Sequence, residues 1–219
     1  MTTRVLFVRH GTTVLAAEDR FAGVTDVDLS DEGRRQADRL AQRLARVAMA
    51  AVYCSPTKRT VATAAALARP HGLTPLPKDG LREIDHGRWE GLRRAEVAAR
   101  FPEELAAWEA DPLAFAPEGG ETGARVLARA RPVLHDLLKA HRGQQILVVS
   151  HKATIRLLLC DLLGIDPRRF RDRLDQAPAA LNLLEFKDPA QARLLLFNDV
   201  SHYAAVPESD PPPGSGRPA

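Results

Sequence analysis

A chain of 219 residues with 45% hydrophobic and 27% charged residues is long enough for one sizeable α/β domain and too apolar to be disordered over most of its length. Its net charge of +3 comes from Arg and Lys scattered among Asp and Glu, with no basic block interleaved with aromatics, so no nucleic-acid partner is expected. No segment approaches the roughly 20 apolar residues that span a bilayer, and no membrane partner is expected either.

In chain order, the apolar run Arg4 to Arg9, closed by Gly11, predicts a buried strand ending in a turn. Ser30 with Asp31 and Glu32 marks a helix start, and Ala37, Leu40, Ala41, Leu44 and Val47 recur at helical spacing, predicting a helix over 31–48. Ala51 to Ser55 predicts a second strand stopped by Pro56, and the Ala-rich stretch 57–69 a helix closed by Pro70 and Gly72. A short third strand is expected around Thr74 to Pro77. Residues 93–110 read as one or two helices broken at Pro102, 111–120 as a loop, and 122–142 as a helix kinked at Pro132. Gln145 to Ser150 is the clearest strand, 153–163 an apolar helix ended by Gly164, and two last strands fall at 180–186 and 193–197. Strands alternating with helices predict a three-layer α/β/α sandwich around a mainly parallel sheet. One domain is expected over 1–206, with 207–219, rich in Pro and Gly, as a disordered tail. Cys54 and Cys160 sit in apolar runs and read as small buried hydrophobes. Met1 to Arg4 precedes no leader-like apolar stretch, which points to the cytoplasm.

In open α/β sheets ligands bind beyond the carboxyl ends of the strands. Arg9 and His10 follow the first strand, Ser55 and Arg59 the second, and His151 the clearest one, while Glu83 lies on the intervening segment 81–92. Two His, two Arg and one Glu therefore meet where one crevice collects them. Arginine forks at strand ends suit an oxyanion, and the helix start after His151 favours one too. A histidine held there can attack phosphorus, and a carboxyl group nearby can protonate the leaving oxygen and then accept a proton from water. Arg9, Arg59 and a protonated His151 would supply the positive charge that phosphoryl transfer needs, without a metal or other cofactor. No His or Cys spacing typical of a metal site occurs.

The motif Val8-Arg9-His10-Gly11-Thr12-Thr13 resembles the RHG signature of the histidine phosphatase (phosphoglycerate-mutase-like) superfamily. Further landmarks are similar and in the same order: Phe21-Ala22-Gly23 with Asp28-Leu29-Ser30 and Gly33, Ser55-Pro56 with Arg59-Thr60, Leu81-Arg82-Glu83-Ile84 with Trp89-Glu90-Gly91, Gly119 to Thr122, Val149-Ser150-His151, and Asn198-Asp199 with Ser201-His202. The resemblance spans about Val5 to Tyr203. It implies His10 as nucleophile, Glu83 as general acid/base, and Arg9, Arg59 and His151 as the phosphate pocket; Thr12 and Thr13 of the RHG motif and Lys152, next to His151, are expected beside the substrate. It further implies a metal-independent phosphomonoesterase acting on a small phosphorylated metabolite, and a homodimer. The segment after Glu83 resembles the phosphatase branch and favours hydrolysis over a cofactor-dependent phosphoglycerate mutase, and the presence of all five pocket residues favours an enzyme over a non-catalytic phospho-ligand binder. Three departures from the family stand out: Ala16 and Ala22 where the first loop often carries polar side chains, and Lys152 where glycine often follows the second histidine. Lys152 is expected either to turn to solvent or to meet a second anion on the substrate. His86 is a candidate for facing substrate, His202 a structural residue, and His71, His135 and His141 surface or helix residues.

Overall fold

A computed structural model describes residues 2–17, 20–189 and 191–204; the expected tail at 207–219 lies outside them. The six strands are β1 (Thr3–Arg9), β2 (Ala51–Cys54), β3 (Leu76–Pro77), β4 (Gln145–Ser150), β5 (Leu181–Asp188) and β6 (Gln191–Asp199). The helices are α1 (Val14–Ala17), α2 (Asp31–Leu44), α3 (Lys58–Ala68), α4 (Arg94–Arg100), α5 (Pro102–Ala110), α6 (Gly123–Ala140), α7 (Lys152–Leu163) and α8 (Phe170–Arg173). The strands form one sheet in the order β3-β2-β4-β1-β5-β6.

The centre of β1, Val5 to Val8, is apolar and buried because both faces of the sheet are covered. Val5 and Phe7 join Ile146, Val148 and Phe186 under Val126 and Leu134 of α6 and Ile155 and Leu159 of α7. Leu6 and Val8 point the other way, joining Val52, Cys54 and Val149 under Leu40 and Leu44 of α2 and Leu67 of α3. Each fully buried aliphatic or aromatic side chain in these layers contributes roughly 1.5–3 kcal/mol. A smaller cluster of Trp89, Val97, Leu105 and Trp108 packs apart from them, with Phe21 and Phe101 against it.

The sheet is mixed. β3, β2, β4 and β1 are mutually parallel, whereas β5 runs antiparallel to β1 and β6 antiparallel to β5. The last two strands form a hairpin with no helix between them, which is why they depart from the βαβ rule. α2 ends four residues earlier than its spacing suggests, at Leu44. The expected break at Pro102 is present: Pro102 opens α5 at a position where its missing N–H leaves no helical bond unmade. The helix around Pro132 runs unbroken from Gly123 to Ala140. No helix among the described residues is long and apolar enough to cross a membrane.

Candidate active site

The parallel strands end side by side: Arg9 pairs with Ser150, and Cys54 with Val149. The next residue of each strand, His10, Ser55 and His151, therefore emerges on one edge. The backbone N–H of His10 donates to the Ser150 carbonyl at 3.1 Å, and that of Ser55 to the Val149 carbonyl at 3.0 Å. A cavity of about 940 Å³ opens there, and Arg9, His10, Thr12, Thr13, Arg59, Glu83 and Lys152 line it. His151 lies beneath this lining. It is fully buried, with its ring centroid 5.2 Å from that of His10.

His10 Nδ1 lies 2.8 Å from the Gly11 carbonyl oxygen. A carbonyl only accepts, so Nδ1 carries the proton and Nε2 keeps a lone pair. Burial, followed by Arg9 and Arg59, holds the His10 pKa well below 6.5. Gly11 and Gly33 let the loop after His10 lie against the first turn of α2: a Cβ on Gly33 would meet the Thr12 carbonyl oxygen at 2.1 Å. Gln36 then fixes Thr12, its Oε1 accepting from both the backbone N–H and the hydroxyl at 3.0 Å. Thr13 is buried, and its backbone bridges to Leu29.

Arg59 is buried and its donors are shared out. Nη1 donates to the Thr25 carbonyl at 2.7 Å, Nη2 to those of Ala22 and Gly23, and Nε to His151 Nδ1 at 3.3 Å. The loop it grips is held from the far side by Glu90, which accepts from the backbone N–H groups of Gly23, Val24 and Thr25. The carboxylate comes that close because residue 23 is glycine; a Cβ there would lie 2.4 Å from Glu90 Oε1. Arg9 donates through Nη1 to the Gln176 carbonyl at 2.6 Å, and burial lowers its pKa to about 10. Asn182 and Asn198 support that segment: Asn182 Nδ2 donates to Gln176 Oε1, and the Ala177 N–H donates to Asn198 Oδ1.

His151 Nδ1 accepts from Arg59, and its Nε2 lies 2.8 Å from Ser55 Oγ. Burial and the neighbouring Arg59 push its pKa well below 6.5, and with Nδ1 accepting the ring is neutral here.

Glu83 is buried against the start of α7. Oε2 accepts from the Ala153 N–H, and Oε1 from the Thr154 N–H and hydroxyl and from the Ile84 N–H, all at 3.0 to 3.1 Å. Free N–H groups at a helix start suit a carboxylate. Arg129 clamps the Glu83 segment by donating to the carbonyls of Gly80, Arg82 and Glu83 while paired with Glu121 at 2.8 Å.

Lys152 lines the cavity, half-buried, with Nζ 3.4 Å from Asp175 Oδ1. His86 lines it as well, its ring against Phe21 and Trp108. Sequence reasoning passed over Gln36, Arg129, Thr154, Arg156, Arg171 and Trp108. Arg156 alone carried a visible signal, a charge set between Ile155 and the apolar run Leu157 to Cys160 in α7.

A family model of the histidine phosphatase superfamily (branch 1) matches residues 5–200. Phosphoserine phosphatase 1 of Hydrogenobacter thermophilus is 37% identical over 167 residues, covering 76% of this chain and 79% of that protein. Several mycobacterial relatives are longer, and the chain spans 55% of their length. Among solved structures, YhfR of Bacillus stearothermophilus matches with a TM-score of 0.85 at 27% identity, over 91% of this chain and 98% of that one. The mycobacterial glucosyl-3-phosphoglycerate phosphatase matches with a TM-score of 0.82 at 28% identity, over 90% and 99% of the two chains. The motifs, the site and these likenesses agree: the chain belongs to the histidine phosphatase superfamily.

Proposed function

We propose that His10 is the nucleophile of a metal-independent phosphomonoesterase reaction on a small phosphorylated metabolite. The chain is a phosphoric monoester hydrolase of its superfamily, like the relatives named phosphoserine phosphatase and glucosyl-3-phosphoglycerate phosphatase. One observation carries the mechanistic reading. With Nδ1 tied to the Gly11 carbonyl, His10 offers Nε2 as an unprotonated nitrogen beside two buried arginines.

The Nε2 lone pair forms the P–N bond as the ester P–O bond breaks, and the departing oxygen takes a proton from Glu83. Water then attacks the phosphohistidine, its proton passing to Glu83. The P–N bond breaks and inorganic phosphate leaves. Arg9 and Arg59 neutralise the equatorial oxygens, and a bound phosphate dianion beside His151 favours that ring's charged form. Thr12 and Thr13 shape the nucleophile's wall, and Lys152 borders the leaving group. Residues 1–206 act as one catalytic domain in this reading, a homodimer in the cytoplasm, in keeping with the family resemblance and with two free, buried cysteines.

The test is His10→Ala, with inorganic phosphate release from an aryl phosphate as the readout. Turnover falls by about 10⁴-fold or more, because no second nucleophile is placed to replace it. An acid-labile, base-stable phosphoryl label forms on the parent and not on the variant. EDTA leaves the parental rate unchanged. Activity of the variant within tenfold of the parent, or loss of activity on chelation reversed by one divalent ion, overturns the reading.

A further inference from the structure

The cavity is deeper in positive charge than one phosphate needs. Beyond Arg9 and Arg59 it is lined by Lys152 and Arg156 of α7 and by Arg171 of α8. Lys152 directly follows His151, and Arg156 lies four residues on, so the two share one face of α7 about 6 Å apart along its axis. Arg156 donates to the Phe170 carbonyl at 3.1 Å and to the Arg171 carbonyl at 2.7 Å, which draws α8 over the cavity. Its hydrogen bonds go to carbonyls, and Asp175 and Glu83 act on its charge without a direct ion pair among the described residues.

Arg171 is held differently. Its guanidinium carbon lies 3.8 Å from the centre of the Trp108 ring, and Trp108 is 5% exposed and also lines the cavity. Stacking fixes the plane of the guanidinium while occupying none of its five N–H groups. Among the described residues it has no hydrogen bond and no ion pair through that group; Asp172 is the opposing charge that acts on it. Arg94 and Arg156 crowd it with like charge, which together with burial lowers its pKa to about 10. The one carboxylate on Lys152, Asp175, is itself exposed, and a pair of that kind exchanges readily for another anion.

We propose that Arg171 and Lys152, set by Arg156 and Trp108, form a second anion subsite on the leaving-group side of the phosphate pocket. Preferred substrates are then phosphomonoesters whose alcohol carries its own negative group. The proposal rests on the phosphatase reading of the same cavity and adds the substrate class to it. Arg171 grips through its free N–H edge, and Lys152 leaves Asp175 for the incoming group.

The experiment compares three small substrates that differ in the second group: glycerol 3-phosphate with none, 3-phosphoglycerate with a carboxylate, and propane-1,3-diol bisphosphate with a second phosphate. Their non-hydrolysable phosphonate analogues are titrated calorimetrically in parallel. In the parent, kcat/KM and affinity favour an anionic member over glycerol 3-phosphate, and which of the two wins identifies the group. In Arg171→Gln, with its fold checked by circular dichroism, that preference falls about 10- to 100-fold, the worth of a charge-assisted bond in a partly dry cleft. Lys152→Gln lowers it by a smaller factor, and Arg171→Lys restores part of it. A parental preference below twofold, or one unchanged in both Arg171→Gln and Lys152→Gln, overturns the subsite. Absence of turnover on all three overturns the phosphatase reading, while the calorimetric preference still decides this one.

Discussion

The inner and outer halves of the cavity are built on opposite rules. At the inner end His10 is 6% exposed, Arg59 1% and His151 0%. Each is fixed by hydrogen bonds to backbone or to one another, and the donors of Arg59 are shared among three carbonyls and one ring nitrogen. At the outer end Lys152 keeps 43% of its side chain exposed, Asp175 71%, and the Arg171 guanidinium rests on an indole with no hydrogen bond among the described residues. A group that must meet a transition state gains from being fixed beforehand, because no reorganisation is then required during the reaction. A group that chooses among leaving groups needs free donors and a place to move. The contrast assigns chemistry to the inner end and selection to the outer end.

The largest effect is expected at Glu83. Glu83→Gln keeps the shape and removes the proton that the departing oxygen takes. General acid catalysis is worth roughly 10²–10⁴-fold, so phosphorylation of the enzyme slows by about that factor for a sugar or glycerol ester. A nitrophenolate leaves with little help and loses far less. Rapid-quench kinetics on the two substrates measures the difference. Equal loss on both would mean that Glu83 only braces the start of α7 through Ala153 and Thr154.

The second prediction concerns acid. His10 and His151 are held well below 6.5, His86 is lowered as well, and His202 is brought down to about 4, burial being the first cause in each. Below pH 6.5 the unfolded chain binds protons that these folded rings refuse. The unfolding free energy therefore rises with pH in that window and falls as pH drops from 6.5 toward 4. Each wholly excluded ring adds a slope of at most about 1.4 kcal/mol per pH unit. Urea midpoints at several pH values measure it, and His10→Ala removes one ring's share. A flat profile would show that the inner end is open to protons, which would erase its contrast with the outer end.

The two ends also differed in how far the sequence revealed them. His10, Ser55 and His151 stood out because each directly follows an apolar strand, and parallel strands in register must deliver such residues to one edge. The layers were equally readable, since helical periodicity and unbroken apolar runs both report burial. The β5–β6 hairpin was less so: an apolar run gives no direction, and only pairing shows that β5 opposes β1. The charge state of His151 required knowing that Arg59 reaches its Nδ1 across 92 positions of sequence. Arg171 lay beyond reach, because its place depends on Arg156 drawing in the segment at 170–171 and on Trp108 arriving from α5. Local motifs encode the chemistry; the selecting wall is assembled from three distant segments, each ordinary alone.

The smallest effect, at Ser55, separates the two ends most cleanly. Ser55 is wholly buried, is not among the residues that line the cavity, and sits 2.8 Å from His151 Nε2. Because Nδ1 accepts from Arg59, the neutral ring carries its proton on Nε2 and donates it to Ser55 Oγ. Ser55→Ala leaves that buried N–H without a partner, at a penalty of about 1–3 kcal/mol. The ring can escape the penalty by turning or by changing tautomer. Either movement abandons Arg59 Nε, so part of the loss is passed to the phosphate-binding arginine. A fall in kcat/KM of about 5- to 100-fold follows, the same for every substrate whatever its leaving group carries, because only the end that holds the transferring phosphate is disturbed. Arg171→Gln should do the reverse, changing the ratio between substrates. Kinetics of Ser55→Ala on glycerol 3-phosphate and 3-phosphoglycerate decide the point. A changed ratio in this variant would mean that His151 and the outer wall move together, and that chemistry and selection are not separated along the cavity.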